Sequence, residues 1–399
     1  MLPSITLGIT FLSCTLAAEI FNYEALSTPT QARLIILISF ISALYTAATN
    51  NKKNWIKIKQ APPTPSQIKK KTIAAQALLI ILLIPSGLAI NFEQLWPASI
   101  FVLEYAIILP GLLIFTKKYI AFAEERMPSG KDQYYHLGAD LLKRKITNLN
   151  NHKELLLSWL VKIFFIPLMY TWTIISVEQL LLHDWKPNPG NIIAGLFIFG
   201  LSIDLIIASA GYIFSSRLLK NQTISTDKSW LGWLSCMICY PPLLSLMLYI
   251  KEQTDSITWD TWLTPTDPIY WAWAALIVLT WVIYWFSTIA FGLRFSNLSW
   301  RGLVDKGPYR FSKHPAYISK NIYWWLHTVP FIGAETAIDF TTNILGLTFV
   351  SLIYYIRAKT EEKHLMQFSE YRSYHEKMVK RNPFKRLKSL WIKNQEPPY

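Results

Sequence analysis

The chain has 399 residues, a formal net charge of +14, 52% hydrophobic residues and only 16% charged ones. A soluble globular chain carries roughly 25% charged residues, so too little charge is present here to cover a water-facing surface. Disorder and a disulfide-stapled scaffold are excluded as well. Mean hydropathy is +0.25, with 17 Trp, 20 Tyr and 21 Phe. The expected fold class is all-α, a polytopic transmembrane bundle of about ten spans, because backbone groups in lipid must be satisfied within helices.

Ten apolar stretches follow in chain order: 2–20, 33–50, 73–91, 97–116, 158–181, 191–214, 230–250, 269–292, 319–334 and 338–356. A span needs roughly 20 residues, and the ninth stretch is short. Lys and Arg fall very unevenly between them. Segments 51–72, 117–157, 215–229, 293–320 and 357–399 hold 35, whereas the opposite loops hold Arg33, Lys186 and Lys251. Positive charge collects on the cytosolic side, so both termini are expected there. In a bacterial cell the membrane would be the inner one. The basic residues then face anionic lipid, and no aromatic-interleaved basic motif points to nucleic acid.

The first stretch has no basic leader, so a cleaved signal peptide is not expected; Phe11-Leu12-Ser13-Cys14 only faintly resembles a lipoprotein cleavage site. Glu104, Lys162 and Asp204 lie in or near apolar stretches. Ionisable groups there mark either a transport path or a structural pair. Inverted repeats and paired broken helices, the marks of a transporter, are not visible. Pro85, Pro110, Pro167 and Pro241-Pro242 are candidate kinks, and Cys236-Met-Ile-Cys239 reads best as small apolar helix residues.

The chemistry concentrates after the eighth stretch. Phe291 to Leu326 reads FGLRFSNLSWRGLVDKGPYRFSKHPAYISKNIYWWL. Gly307-Pro308 is a turn signal. His314-Pro315 places an imidazole at a helix start, where backbone N–H groups favour anions. By these features alone a basic, turn-rich membrane-surface loop fits as well as a site. After the last stretch comes IYYIRAKTEEKHLMQFSEYRSYHEKMVKRNPF, Ile353 to Phe384. Leu365, Phe368, Tyr371 and Met378 recur at helical spacing and predict an amphipathic cytosolic helix. Arg357 and Glu361 are four apart on one face. They form either an exposed ion pair or two recognition groups, the arginine for a carboxylate or phosphate and the glutamate for an amine or hydroxyls.

Taken together, Gly307-Pro308-Tyr309, Lys313-His314-Pro315-Ala316-Tyr317, Arg357 with Glu361-Glu362, and Phe368, Tyr371 and Tyr374 resemble the isoprenylcysteine carboxyl methyltransferase family. That family sits in a wider group of integral-membrane methyltransferases that includes phospholipid N-methyltransferases. The resemblance covers about 90 residues, from Phe291 to Pro383. Lys313 stands where the family pattern has Arg, and Ser319 and Ser369 stand where it has Gly.

The resemblance implies an S-adenosylmethionine site and a division into an N-terminal membrane region, 1–268, and a methyltransferase core, 269–399. Arg301, Gly302, Leu303 and Val304 would contact the cofactor largely through backbone. Tyr309, His314, Pro315, Ala316 and Tyr317 would line the adenosyl pocket. Glu361 would bind the charged methionine end, and Arg357 would face the acceptor, with His314 beside the chemistry. The implied acceptor is a lipophilic or lipidated molecule. A carboxylate is already ionised at neutral pH and needs no strong base, whereas a lipid amine must first lose a proton, so carboxyl methylation is favoured. A sterol-type NADPH reductase, related in its fold and His-Pro loop, is the alternative enzyme, and a transporter or structural protein the non-enzymatic one.

Overall fold

The computed structural model describes residues 2–21, 26–56, 62–89, 97–144 and 149–381. Residues 382–399, with the end of the Ile353 to Phe384 stretch, lie outside the described part, as do 57–61 in the basic loop and 90–91 at the end of the third apolar stretch. The described residues form fourteen α-helices: α1 (Leu2–Phe21), α2 (Thr28–Asn50), α3 (Pro65–Ala89), α4 (Ser99–Arg126), α5 (Gln133–Leu142), α6 (Lys153–Leu181), α7 (Pro189–Ile213), α8 (Trp230–Met237), α9 (Leu244–Lys251), α10 (Trp259–Trp262), α11 (Pro268–Phe291), α12 (Pro315–Thr328), α13 (Ala337–Leu365) and α14 (Ser369–Arg381). The sheet content described is one two-residue ladder, Ser225–Thr226 antiparallel to Ser299–Trp300.

Seven helical segments among the described residues are long and apolar enough to cross a membrane: those of α1, α2, α4, α6, α7, α11 and α13. Large apolar side chains point outward from them, as on α4, where Leu103 is 66% exposed and Ile107 78%. Such faces are stable only in lipid, and the protein is a multi-pass membrane protein. Of the other three apolar stretches, one lies in a single helix and two depart from a plain span for local reasons. Helix α3 has 25 residues, with Lys69, Lys70 and Lys71 near its start and no charged residue from Thr72 to Ala89. The 230–250 stretch is not one helix but two of eight residues each, α8 and α9. Between them lies Tyr240-Pro241-Pro242, where proline removes a donor and pushes its predecessor out of helical geometry. Helix α12 has 14 residues, about 21 Å at 1.5 Å per residue.

Two compact units are defined by internal contacts. The first comprises Met1–Lys228, Met237–Leu246 and Phe291–Gly302. Its core is α6 against α7, held by hydroxyl pairs Thr173–Ser209 and Ser176–Ser202, each at 2.8 Å. Small hydroxyl residues let the two backbones approach and satisfy each other in an apolar setting. Glu104 is a paired carboxylate: it accepts from Arg33 Nε at 2.6 Å and from the Tyr170 hydroxyl. The structural pair, one of the two readings open from sequence, is what surrounds this residue.

A second ionic network ties α3, α4 and α5 together. Lys71, 2% exposed, reaches Glu124 Oε1 at 2.9 Å and Asp132 Oδ2 at 3.1 Å. Arg217 Nη2 joins Glu124 at 2.5 Å. Ser129 donates its backbone N–H and hydroxyl to Glu124. Two acids meet two bases with their hydrogen-bonding capacity filled, the condition under which a buried ionic cluster is tolerated. Beside it α5 touches α3 so closely that a Cβ on Gly138 would stand 1.8 Å from Lys70 O.

The second unit comprises Ser229–Cys236, Met247–Ala290 and Leu303–Tyr399. Here α12 ends at Val329 in the left-handed region, φ 37°. Helix α13 starts on a capping box in which Thr336 and Asp339 satisfy each other's backbone N–H. Asn343 of α13 accepts from Thr254 N at 2.8 Å and donates to Pro330 O at 3.3 Å. These contacts fix the start of α13 and so aim its far end, where the polar residues lie.

Candidate functional site

In the second unit the chain enters α12 through two tight turns. Gly307 has φ +60°, and a Cβ there would meet the Ala290 Cβ at 3.3 Å, so glycine is required both by conformation and by space. Residues 307–310 form one 3-10 turn. Tyr374 of α14 locks it by donating its hydroxyl to Tyr309 O at 2.7 Å, and burial pushes that phenol up to about 12. Tyr309 is itself buried. The chain then reaches His314, which caps α12 with Pro315 at the first helical position.

Three side chains converge here on one carboxylate. Glu362 Oε1 pairs with Lys313 Nζ and lies 2.9 Å from His314 Nε2. Lys359 Nζ reaches Oε2 at 3.5 Å. Lys313 Nζ also lies 3.3 Å from His375 Nδ1 of α14. Glu362 thus clamps the His-Pro turn to α13.

One turn into α12, Tyr317 donates its hydroxyl to Glu361 Oε2 at 2.9 Å. Its ring lies near-parallel to those of His314, at 5.8 Å and 15°, and Tyr354, at 6.1 Å and 25°. The Arg357 guanidinium lies 5.1 Å over the same ring, and its Nη2 is 3.8 Å from Cys236 Sγ. Arg357 is 6% exposed. That burial removes the bland alternative of an exposed surface ion pair, which contributes little.

His314, Tyr317, Arg357 and Glu361 therefore come together, with Pro315 buried and Ala316 half-buried beside them. Leu303 and Val304 open the same unit's loop and are half-buried. Arg301 and Gly302 belong to the first unit. There Arg301 is 4% exposed and donates from Nη1 to Gly211 O at 2.5 Å and Phe295 O at 3.3 Å. Gly302 has φ +102°, a conformation glycine adopts without strain. Ser319 fills its glycine position acceptably: it is buried, and its hydroxyl donates to Ala316 O at 3.0 Å.

Three neighbours went unassigned from sequence. Glu362 follows Glu361 by 100° of helix rotation, so it points to a different face, and the cation Lys313 was a sign that a partner carboxylate was needed. Tyr354 lies three residues before Arg357, at stacking distance from Tyr317. Cys236 stood out only by its spacing from Cys239 and was read as an apolar helix residue; nothing local pointed to Arg357, since the cysteine is brought in by a distant helix.

The donor set suits S-adenosylmethionine. A carboxylate, Glu361, stands ready for an ammonium, flat rings offer faces for a purine, and a buried guanidinium offers a fork for an acidic group. No curated protein matches the chain, and no solved structure does. Residues 269–367, which contain this cluster, match the model of the isoprenylcysteine carboxyl methyltransferase (ICMT) family, so the C-terminal part of this multi-pass membrane protein is similar to that family of methyltransferases.

Proposed function

We propose that the protein transfers a methyl group from S-adenosylmethionine to the carboxylate of a lipophilic acceptor at the cytosolic face of the membrane. The observation that carries this reading is the joint between α12 and α13, where Tyr317–Glu361 and His314–Glu362 bond the His-Pro turn to the acidic pair within the family-matched segment. The cofactor, when bound, supplies a methyl already activated on a sulfonium. The chain must then align acceptor and methyl and exclude water.

Glu361 holds the ammonium of the cofactor, and Tyr317 fixes the carboxylate's direction through its hydroxyl. Arg357, buried and braced over Tyr317, orients the acceptor carboxylate with a planar fork and protonates nothing. Glu362 is occupied by Lys313 and His314, so it positions the turn and is not available as a base. That supports a carboxylate acceptor over an amine, which would have to be deprotonated.

Membranes containing the overproduced protein, incubated with methyl-labelled S-adenosylmethionine, test this. Label should enter the lipid fraction and be released as volatile methanol by mild alkali. Alkali-stable lipid label would replace the carboxyl reading with N-methylation, and no transfer to any lipid would end both.

A further inference from the structure

The first unit holds two cations that the proposed reaction does not use. Arg301 is 4% exposed. Its Nη1 is fixed by two carbonyl oxygens, Gly211 O and Phe295 O. Its Nε is buried without a hydrogen-bond partner. The edge formed by Nε and Nη2 is the one that holds a carboxylate or phosphate in two parallel bonds, and here it is rigidly presented. Burial pushes the guanidinium down to about 10, which leaves it charged at neutral pH.

The second cation is Lys162, which projects from the apolar helix α6 and lies 4.8 Å over the Trp159 ring. One turn along α6 from Lys162, Phe165 stacks on Tyr212 at 5.1 Å, and Tyr212 follows the Gly211 whose carbonyl binds Arg301, so the two cations lie in one neighbourhood and repel each other. Neither cation has an acidic partner among the described residues. In the same unit, charge is balanced at Lys71, Arg217, Glu124 and Asp132. Two neighbouring uncompensated cations beside a membrane helix are costly unless an anion enters.

We propose that Arg301 and Lys162 form an oxyanion site that takes the phosphate of an anionic membrane lipid. Arg301 supplies the fork and Lys162 a second point charge. A lipid, rather than a soluble anion, fits the surroundings: Lys162 stands in an apolar helix whose neighbouring Leu160 is 46% exposed, so an acyl chain can follow the headgroup along α6. The site stands on first-unit residues alone and does not depend on the methyl-transfer reading.

Native mass spectrometry of the detergent-solubilised full chain tests it, using phosphatidylglycerol and phosphatidylcholine of matched acyl chains. Wild type should retain phosphatidylglycerol preferentially. Lys162→Met should weaken that binding by about 10- to 100-fold, the loss expected for one charge-assisted contact, and Lys162→Arg should restore it. Lys162→Met replaces a cation with an apolar side chain of similar length, so it is expected to fold. Equal retention of both lipids, or unchanged retention in Lys162→Met, overturns the proposal. Competition by inorganic phosphate or by S-adenosylmethionine at the lipid's own concentration overturns the lipid as occupant, the latter because its carboxylate would then be the anion.

Discussion

Glu361 and Glu362 are adjacent acids with different surroundings, and exchanging each for glutamine should separate stability from binding. Glu362 is the shared partner of Lys313 and His314. Removing one member of a fully buried ion pair costs about 3–5 kcal/mol. Here the Lys313 and His314 side chains keep 20% and 14% of their surface exposed, and glutamine still offers one acceptor oxygen. The expected cost of Glu362→Gln is therefore about 1.5–3 kcal/mol, the range for hydrogen bonds to charged groups. Glu361 accepts one bond from Tyr317, which glutamine can also accept, so Glu361→Gln should cost less than about 1 kcal/mol in stability. Its loss of charge should instead weaken S-adenosylmethionine by about 10- to 150-fold, the equivalent of one charged hydrogen bond. Thermal unfolding and titration calorimetry on the purified variants give both readouts. The assignment of Glu361 fails if Glu361→Gln binds the cofactor like wild type, and the clamp role of Glu362 fails if Glu362→Gln melts with wild type.

Four further outcomes are expected. Arg357→Ala should keep cofactor affinity and lose turnover of an acidic acceptor, and Arg357→Lys should rescue poorly because a point charge cannot hold both oxygens in one plane; full turnover in the alanine variant would remove Arg357 from the site. Gly307→Ala should destabilise by about 1–2 kcal/mol, from the left-handed backbone strain of an L-residue, read as a lowered unfolding temperature. Lys71→Met should cost about 3–5 kcal/mol by leaving buried Glu124 and its neighbours with excess negative charge; a wild-type melting curve would show the network to be dispensable. Cysteines introduced at Asn188 and Thr254 should react with a membrane-impermeant reagent added from outside intact cells, and protection of either would break the topology drawn from the basic loops.

Periodicity and charge made the membrane character legible, because a long apolar run has few alternatives. They did not distinguish a continuous span from a broken one. The 230–250 stretch is apolar throughout, and only Tyr240-Pro241-Pro242 marks where α8 stops and α9 begins. At the site, the His314-Pro315 start and the Arg357–Glu361 face were readable because their spacing is local. The partners Cys236 and Tyr354 were not, since a side chain's neighbour across helices leaves no periodic trace. The side chain of Arg301 was equally unmarked: its motif position concerns the backbone, while its Nη1 is engaged with Gly211 and Phe295 in the first unit.

The network around Glu124 also bears on how the chain is made. Lys71 and Glu124 are synthesised early, but Arg217 lies 93 residues beyond Glu124, after α6 and α7. Until that arginine emerges, Glu124 and Asp132 share one lysine of this network, Lys71. Completion of α7 delivers the missing cation and, through Arg217 Nη1 on Met127 O at 2.9 Å, pins the preceding loop. Biogenesis of the first unit is thus gated by the last basic residue of this network: ribosome-bound chains that end before 217 should remain protease-sensitive at 127–132, and chains that extend well past it should not.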